Sequence, residues 1–193
     1  MSVHYYHLEV SAWRNPSLTL LICQSYLDRN ALSNARVQGI EKSLGLKGSD
    51  FNTAISVFFA GYLALQIPSN ILLTRVRPSI YLPGCMAAWG IVSGLTATVH
   101  DFKGLILTRF FLGFVEAPYF PGALFLLSTW YTRKELALRT SILYAGSLLS
   151  GGFGGLVSAG IQYGLNGVRG LESWRWLFII EASVTVFIAL ITM

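Results

Sequence analysis

Three long stretches of this chain contain no charged residue at all: Phe51 to Thr74, Pro78 to Val99 and Thr140 to Val168. Each is long enough, at about 1.5 Å per helical residue, to cross the roughly 30 Å of hydrocarbon in a bilayer. A soluble domain does not ordinarily leave such windows, because about a quarter of its residues are charged. Here 12% of 193 residues are charged and 53% are hydrophobic. Gly104 to Tyr131 and Trp176 to Met193 are as apolar but carry isolated ionisable residues, Arg109 and Glu116 in the first and Glu181 in the second. A weaker stretch begins near Pro16, where apolar Leu18 to Cys23 is followed by Gln24, Asp28, Arg29, Asn30 and Asn34. The pattern predicts an all-α integral membrane protein, with a tail over 1-15 and a six-helix transmembrane bundle over 16-193. Its spans are expected at about 16-36, 51-74, 79-99, 104-131, 140-163 and 176-193. Short connections make consecutive helices antiparallel neighbours.

The net charge of +5 is scattered, with no patch that interleaves basic and aromatic residues, so it reads as loop charge and no nucleic-acid partner is expected. With the N terminus cytoplasmic, Arg14, Arg75, Arg77, Arg133, Lys134 and Arg139 fall inside, and Lys42, Lys47, Lys103, Arg169 and Arg175 outside. The inside loops are the more compact and contain only Glu135 as an acid, which favours both termini inside. The first 17 residues carry His4, His7, Glu9 and Arg14 and lack an apolar core, so membrane insertion is expected to rely on the spans. Cys23 and Cys85 lie in apolar segments and read as packing residues. His4 and His7 have helical spacing, but no further ligand lies near them in sequence, so no metal or other cofactor is expected. No Ser/His/Asp set or His cluster lies in or beside the spans, and the chain does not read as an enzyme.

Small residues recur along several spans. Gly151, Gly155 and Ala159 repeat every four residues beside Gly152, Gly154 and Gly160, with Gly61 and Ala64, and Gly84, Gly90 and Gly94, in earlier spans. Such rows let helices approach closely in lipid, and close packing is the expectation for each. Pro68, Pro118 and Pro121 stand inside spans as expected kinks.

Ionisable residues inside a membrane cost at least about 2.5 kcal/mol each at its centre and are retained by facing a cavity or a partner. Five qualify: Asp28, Arg29, Arg109, Glu116 and Glu181. Arg109 and Glu116 are seven residues apart, on one helix face but about 10 Å apart along the axis. Each therefore needs a partner from another helix. Asp28 and Arg29 are adjacent and about 100° apart around their helix, so one can point into a cavity while the other borders a neighbour. These four residues carry no net charge together and fit either static cross-bundle ion pairs or a polar site in mid-membrane. In such a site arginines clamp a carboxylate, and a desolvated acid exchanges a proton. Glu181 follows Trp174-Arg-Trp176 by less than two turns and fits equally an end anchor.

The same residues carry a resemblance. Tyr26-Leu-Asp-Arg-Asn30 with Asn34-Ala-Arg36 resembles the first helix of the anion:cation symporter family of the major facilitator superfamily. Arg109-Phe-Phe-Leu-Gly-Phe-Val-Glu-Ala-Pro-Tyr-Phe-Pro-Gly122, with Ser128-Thr-Trp-Tyr131 and Arg133, resembles its fourth helix. Phe153-Gly-Gly-Leu156 and Trp174-Arg-Trp-Leu-Phe-Ile-Ile-Glu181 resemble its fifth and sixth, and Ile67-Pro-Ser-Asn70 the second helix of the fungal allantoate and nicotinate permeases. The loop Thr74-Arg-Val-Arg-Pro78 lacks the acidic residue of the superfamily's Gly-x-x-x-Asp-Arg loop. The resemblance implies the N-terminal six-helix bundle of a plasma-membrane transporter for a small organic anion, a monocarboxylate or vitamin-type acid, moved by proton symport. It implies Arg29 and Arg109 as substrate ligands and Asp28 and Glu116 as proton-coupling residues. Tyr62 and Gln66 can line the cavity or only pack. The expected partners are the bilayer and the missing C-terminal six-helix bundle or a second copy; the alternative is a truncated remnant or regulatory six-helix protein that does not transport.

Overall fold

The computed structural model describes residues 24–73, 75–76, 78–130 and 133–192. His4, His7, Arg14, the beginning of the first expected span with Cys23, and Thr74, Arg77, Tyr131 and Met193 lie outside the described residues.

The described chain is helical. Helix α1 covers residues 24–37 and ends where Gly39, at φ 95°, takes the left-handed conformation that glycine adopts without penalty. A single turn, α2 (Ile40–Ser43), leads to α3 (Asp50–Leu73), whose first-turn Asp50 accepts a bond from the Lys47 backbone N–H at 2.9 Å. Helix α4 (Pro78–Leu95) opens on a proline, which needs no N–H partner there, and closes through the 3₁₀ turn Thr96–Thr98. The stretch around Arg109 and Glu116 is two helices, α5 (Phe102–Glu116) and α6 (Tyr119–Trp130). Their break has a simple cause: Pro118 and Pro121 have no N–H to give to the carbonyls of Phe114 and Ala117. Ala117 N to Gly113 O (3.1 Å) and Gly122 N to Pro118 O (3.0 Å) still carry the chain around the break. Helices α7 (Arg133–Leu165) and α8 (Ser173–Thr192) follow. At 33 residues α7 is about 50 Å long, more than the roughly 30 Å of a bilayer's hydrocarbon. Among the described residues, Asp50–Leu73 and Ser173–Ile191 are long and apolar enough by themselves to cross a membrane.

Helix α3 packs most extensively on α5, and α4 on α8. The first contact depends on two glycines, since a Cβ on Gly61 would lie 2.3 Å from the Phe110 carbonyl oxygen and one on Gly113 2.1 Å from that of Phe58. Arg175 ties α8 to the α4–α5 connection, donating to the carbonyls of Ala97 (2.7 Å) and Val99 (3.0 Å). The row on α7 behaves differently from expectation. Gly152, Gly155 and Gly160 have nothing within 4 Å of where a Cβ would stand, and only Gly154 fits closely, against Leu27 and Asn34 of α1. At Gly151 the nearest atom among the described residues is Asn30 Nδ2 of α1, at 3.9 Å.

Two apolar clusters fill the core, one around Ile40, Phe51, Leu105, Trp174 and Phe178, the other around Phe58, Met86, Trp89, Leu112 and Ala189. Between them lies a polar layer. Along α8 it is Glu181, between Phe178 of one cluster and Ala189 of the other; along α5, Arg109 stands between Leu105 and Leu112.

Candidate functional site

Helix α1 supplies the site with three side chains on adjoining faces. Ser25 and Arg29 are four residues apart and therefore neighbours on one face, while Asp28 is turned about 100° from Arg29. Both residues of the first pair reach Glu116, at the last turn of α5: its Oε1 accepts from Ser25 Oγ at 2.8 Å and from Arg29 Nε at 2.7 Å. Glu116 is 1% exposed, whereas the Arg29 side chain is 30% exposed. The guanidinium carbon lies 5.2 Å from the ring centre of Tyr62, 5.7 Å from Tyr26 and 5.8 Å from Phe58, distances at which aromatic rings attract a cation.

Arg29 separates two clefts. One, of about 150 Å³, is lined by Ser25, Tyr26, Arg29, Tyr62, Tyr119 and Tyr144; the other, of about 110 Å³, includes Arg29, Ser33, Phe58, Phe59 and Arg109 in its wall. The first has the hydroxyl and cationic lining that a small polar anion needs. Gln66, one turn beyond Tyr62 on α3, is half-buried and lines neither of these clefts.

Asp28 turns the other way, into the core. There it faces Arg109 and Glu116 of α5, Glu181 of α8 and the indole of Trp89 on α4. The Arg109 guanidinium carbon lies 5.2 Å from the Phe178 ring centre. Both Asp28 oxygens, Nε and Nη2 of Arg109, Oε2 of Glu181 and Nε1 of Trp89 are buried and have no hydrogen-bond partner among the described residues.

The four residues singled out in sequence are thus brought together with Glu181, as two constellations. Glu116 finds its cation on α1, and Arg109 faces acids from α1 and α8. Ser25 and Tyr26 escaped the sequence reading, although their offsets of four and three residues from Arg29 place them on its face. Nothing in the sequence singled out Trp89, Tyr119 or Tyr144, which arrive from other helices. The arrangement can hold an anion at Arg29 and can move a proton among buried carboxyls.

The model of the Major Facilitator Superfamily matches residues 18–193. The chain belongs to the major facilitator superfamily. Members of this superfamily are integral membrane transporters rather than enzymes. The chain is 39% identical over 175 residues to the MFS-type transporter cnsO of Penicillium expansum, covering 91% of this chain and 34% of that protein. It is 36% identical over 166 residues to the pantothenate transporter FEN2 of Saccharomyces cerevisiae, covering 86% of this chain and 32% of that one. A bacterial homologue of the human lysosomal transporter Spinster superposes with a TM-score of 0.82 at 20% identity, over 94% of this chain and 42% of the other. The fold is the N-terminal helical bundle of a major facilitator superfamily transporter. The chain spans about a third of the length of these curated relatives.

Proposed function

We propose that this chain provides the N-terminal half of a proton-coupled symporter for a small organic anion, a monocarboxylate or vitamin-type acid, in the anion:cation symporter branch. The observation that carries the reading is the Arg29–Glu116 pair: a partly exposed arginine in the cleft wall, held by a buried acid through one edge of its guanidinium. A guanidinium pairs two-pronged with a carboxylate. A proton on Glu116 removes the charge that holds Arg29, and the guanidinium then turns to the substrate carboxylate. Substrate and proton enter together, because the proton alone leaves Arg29 unpaired and the anion alone leaves the buried Glu116 charge unpaired. Tyr26 and Tyr62 keep the freed guanidinium over their rings, and Arg109 supports the site from below. The relative named a pantothenate transporter supports the class, pantothenate being a carboxylate.

In this reading the membrane is the plasma membrane and the N terminus is cytoplasmic. The rest of the cavity wall comes from a second six-helix bundle, in the same product or a second copy, since alternating access rocks one bundle against another about a central site. Uptake of labelled monocarboxylates and pantothenate, at acidic and neutral pH, in cells expressing the native gene product tests the proposal. Uptake that rises at acidic pH and is abolished by Arg29→Ala and by Arg109→Ala is expected. Uptake unchanged in both variants would sink the assignment, and no uptake of any carboxylate would favour a non-transporting role.

A further inference from the structure

Arg29 and Glu116 balance each other in charge. Arg109 then faces two further acids, Asp28 and Glu181, which also face each other across the α1–α8 contact. These three side chains are 3%, 1% and 6% exposed, so water does not compensate them. One guanidinium neutralises one carboxylate, and a second carboxylate ionised in the same dry layer is strongly disfavoured. Both oxygens of Asp28 and Oε2 of Glu181 are buried beside the N–H groups of Arg109 and Trp89, all without a hydrogen-bond partner among the described residues, so the charge count, two carboxylates to one guanidinium, is what calls for a proton.

We propose that Asp28 and Glu181 share one proton, as a carboxylic acid–carboxylate couple oriented by Arg109 and the Trp89 indole N–H, and that this couple, rather than Glu116, holds the proton of the resting protein. The charged and titratable groups facing the couple are Arg109 and Glu116 from α5, with Trp89 from α4 as a neutral donor. Asp28 faces Glu116, so the couple is connected to the cleft. A further proton, entering with the anion, passes to Glu116 and frees Arg29, while Asp28 and Glu181 keep the proton they share at rest. The couple's part in transport rests on the reading proposed above; its proton does not.

The test is the infrared spectrum of the purified native gene product in lipid at neutral pH, without substrate or ion gradient. The wild-type protein is expected to show the C=O band of a buried protonated carboxyl that shifts in heavy water. Glu181→Gln and Asp28→Asn are each expected to abolish the band, because the remaining carboxylate pairs with Arg109. Thermal melting of both variants checks that they fold. A band that survives both substitutions overturns the proposal and places the proton on Glu116. The wild-type protein gives a second test without substitution. A band absent in sodium buffer and present in N-methylglucamine buffer overturns the proposal in favour of a bound monovalent cation. Loss of carboxylate uptake with the band intact would overturn the transport reading alone, and a missing band with Arg29-dependent uptake intact would overturn only the shared proton.

Discussion

Arg29 meets Glu116 through Nε, and a single edge of a guanidinium is a different object from a point charge. Arg29→Lys keeps the charge and loses the planar fork. The loss of one charge-assisted hydrogen bond, about 1.5–3 kcal/mol, is expected to raise the KM for uptake by roughly tenfold or more. Glu116→Gln keeps the shape of the site and cannot cycle a proton. Exchange of labelled for unlabelled anion is expected to persist in that variant while pH-driven accumulation disappears; accumulation at wild-type level would remove Glu116 from the coupling. Tyr62→Ala removes a ring 5.2 Å from the guanidinium and is expected to weaken uptake several-fold. Gln66→Ala, outside both clefts, is expected to leave it unchanged. Arg109, Glu116 and Glu181 were legible because each is isolated in an apolar stretch, and Asp28 and Arg29 because they are adjacent opposite charges within an expected span. Ser25 and Tyr26 sit on the Arg29 face and were passed over because serine and tyrosine are unremarkable in a helix.

At the scale of elements, the contact between α3 and α5 is set by backbone approach. A methyl group on Gly113 has no room, because the Phe58 carbonyl is backbone and cannot swing aside. Gly113→Ala is expected to destabilise the bundle by about 1–3 kcal/mol, read as a lower thermal midpoint in detergent. Gly152→Ala on α7 meets open space and is expected to leave the midpoint of this chain unchanged or slightly raised, alanine being the better helix former. The sequence reading named the α7 glycines as packing residues and passed over Gly113. The α7 row has the regular period, and Gly113 belongs to no row. Period reports which residues share a face, and only the packed bundle reports which face meets a neighbour. The break between α5 and α6 follows the same logic: Pro118 and Pro121 announce a lost pair of hydrogen bonds, and the path of the chain around them is a tertiary matter.

For the molecule as a whole, the notable surface is apolar. Leu148, Leu149, Phe153, Leu156 and Tyr163 of α7 and Leu63 and Ile67 of α3 are exposed. Lipid covers such residues on a bundle's outer face, and a second bundle covers them on its inner face. The transport reading puts the α7 glycine row on the inner face. Gly155→Leu is accordingly expected to reduce uptake by the native gene product strongly while leaving the thermal midpoint of this chain alone unchanged. Equal uptake in that variant would place the row against lipid.

Sequence alone determined that this chain belongs in a membrane and which ionisable side chains stand within its apolar stretches. Both follow from a local quantity, the cost of placing charge or bare backbone in hydrocarbon, which a window of about 20 residues already expresses. Tertiary structure decided the pairing. Arg29 and Glu116 are 87 residues apart in the chain, and the rotation of α1 against α5 and α8 sends Arg29 to the cleft and Asp28 to Glu181. A rotation of about 100° would exchange those two roles without changing one residue of the sequence, because hydrophobic spacing specifies a helix face only to within its own width.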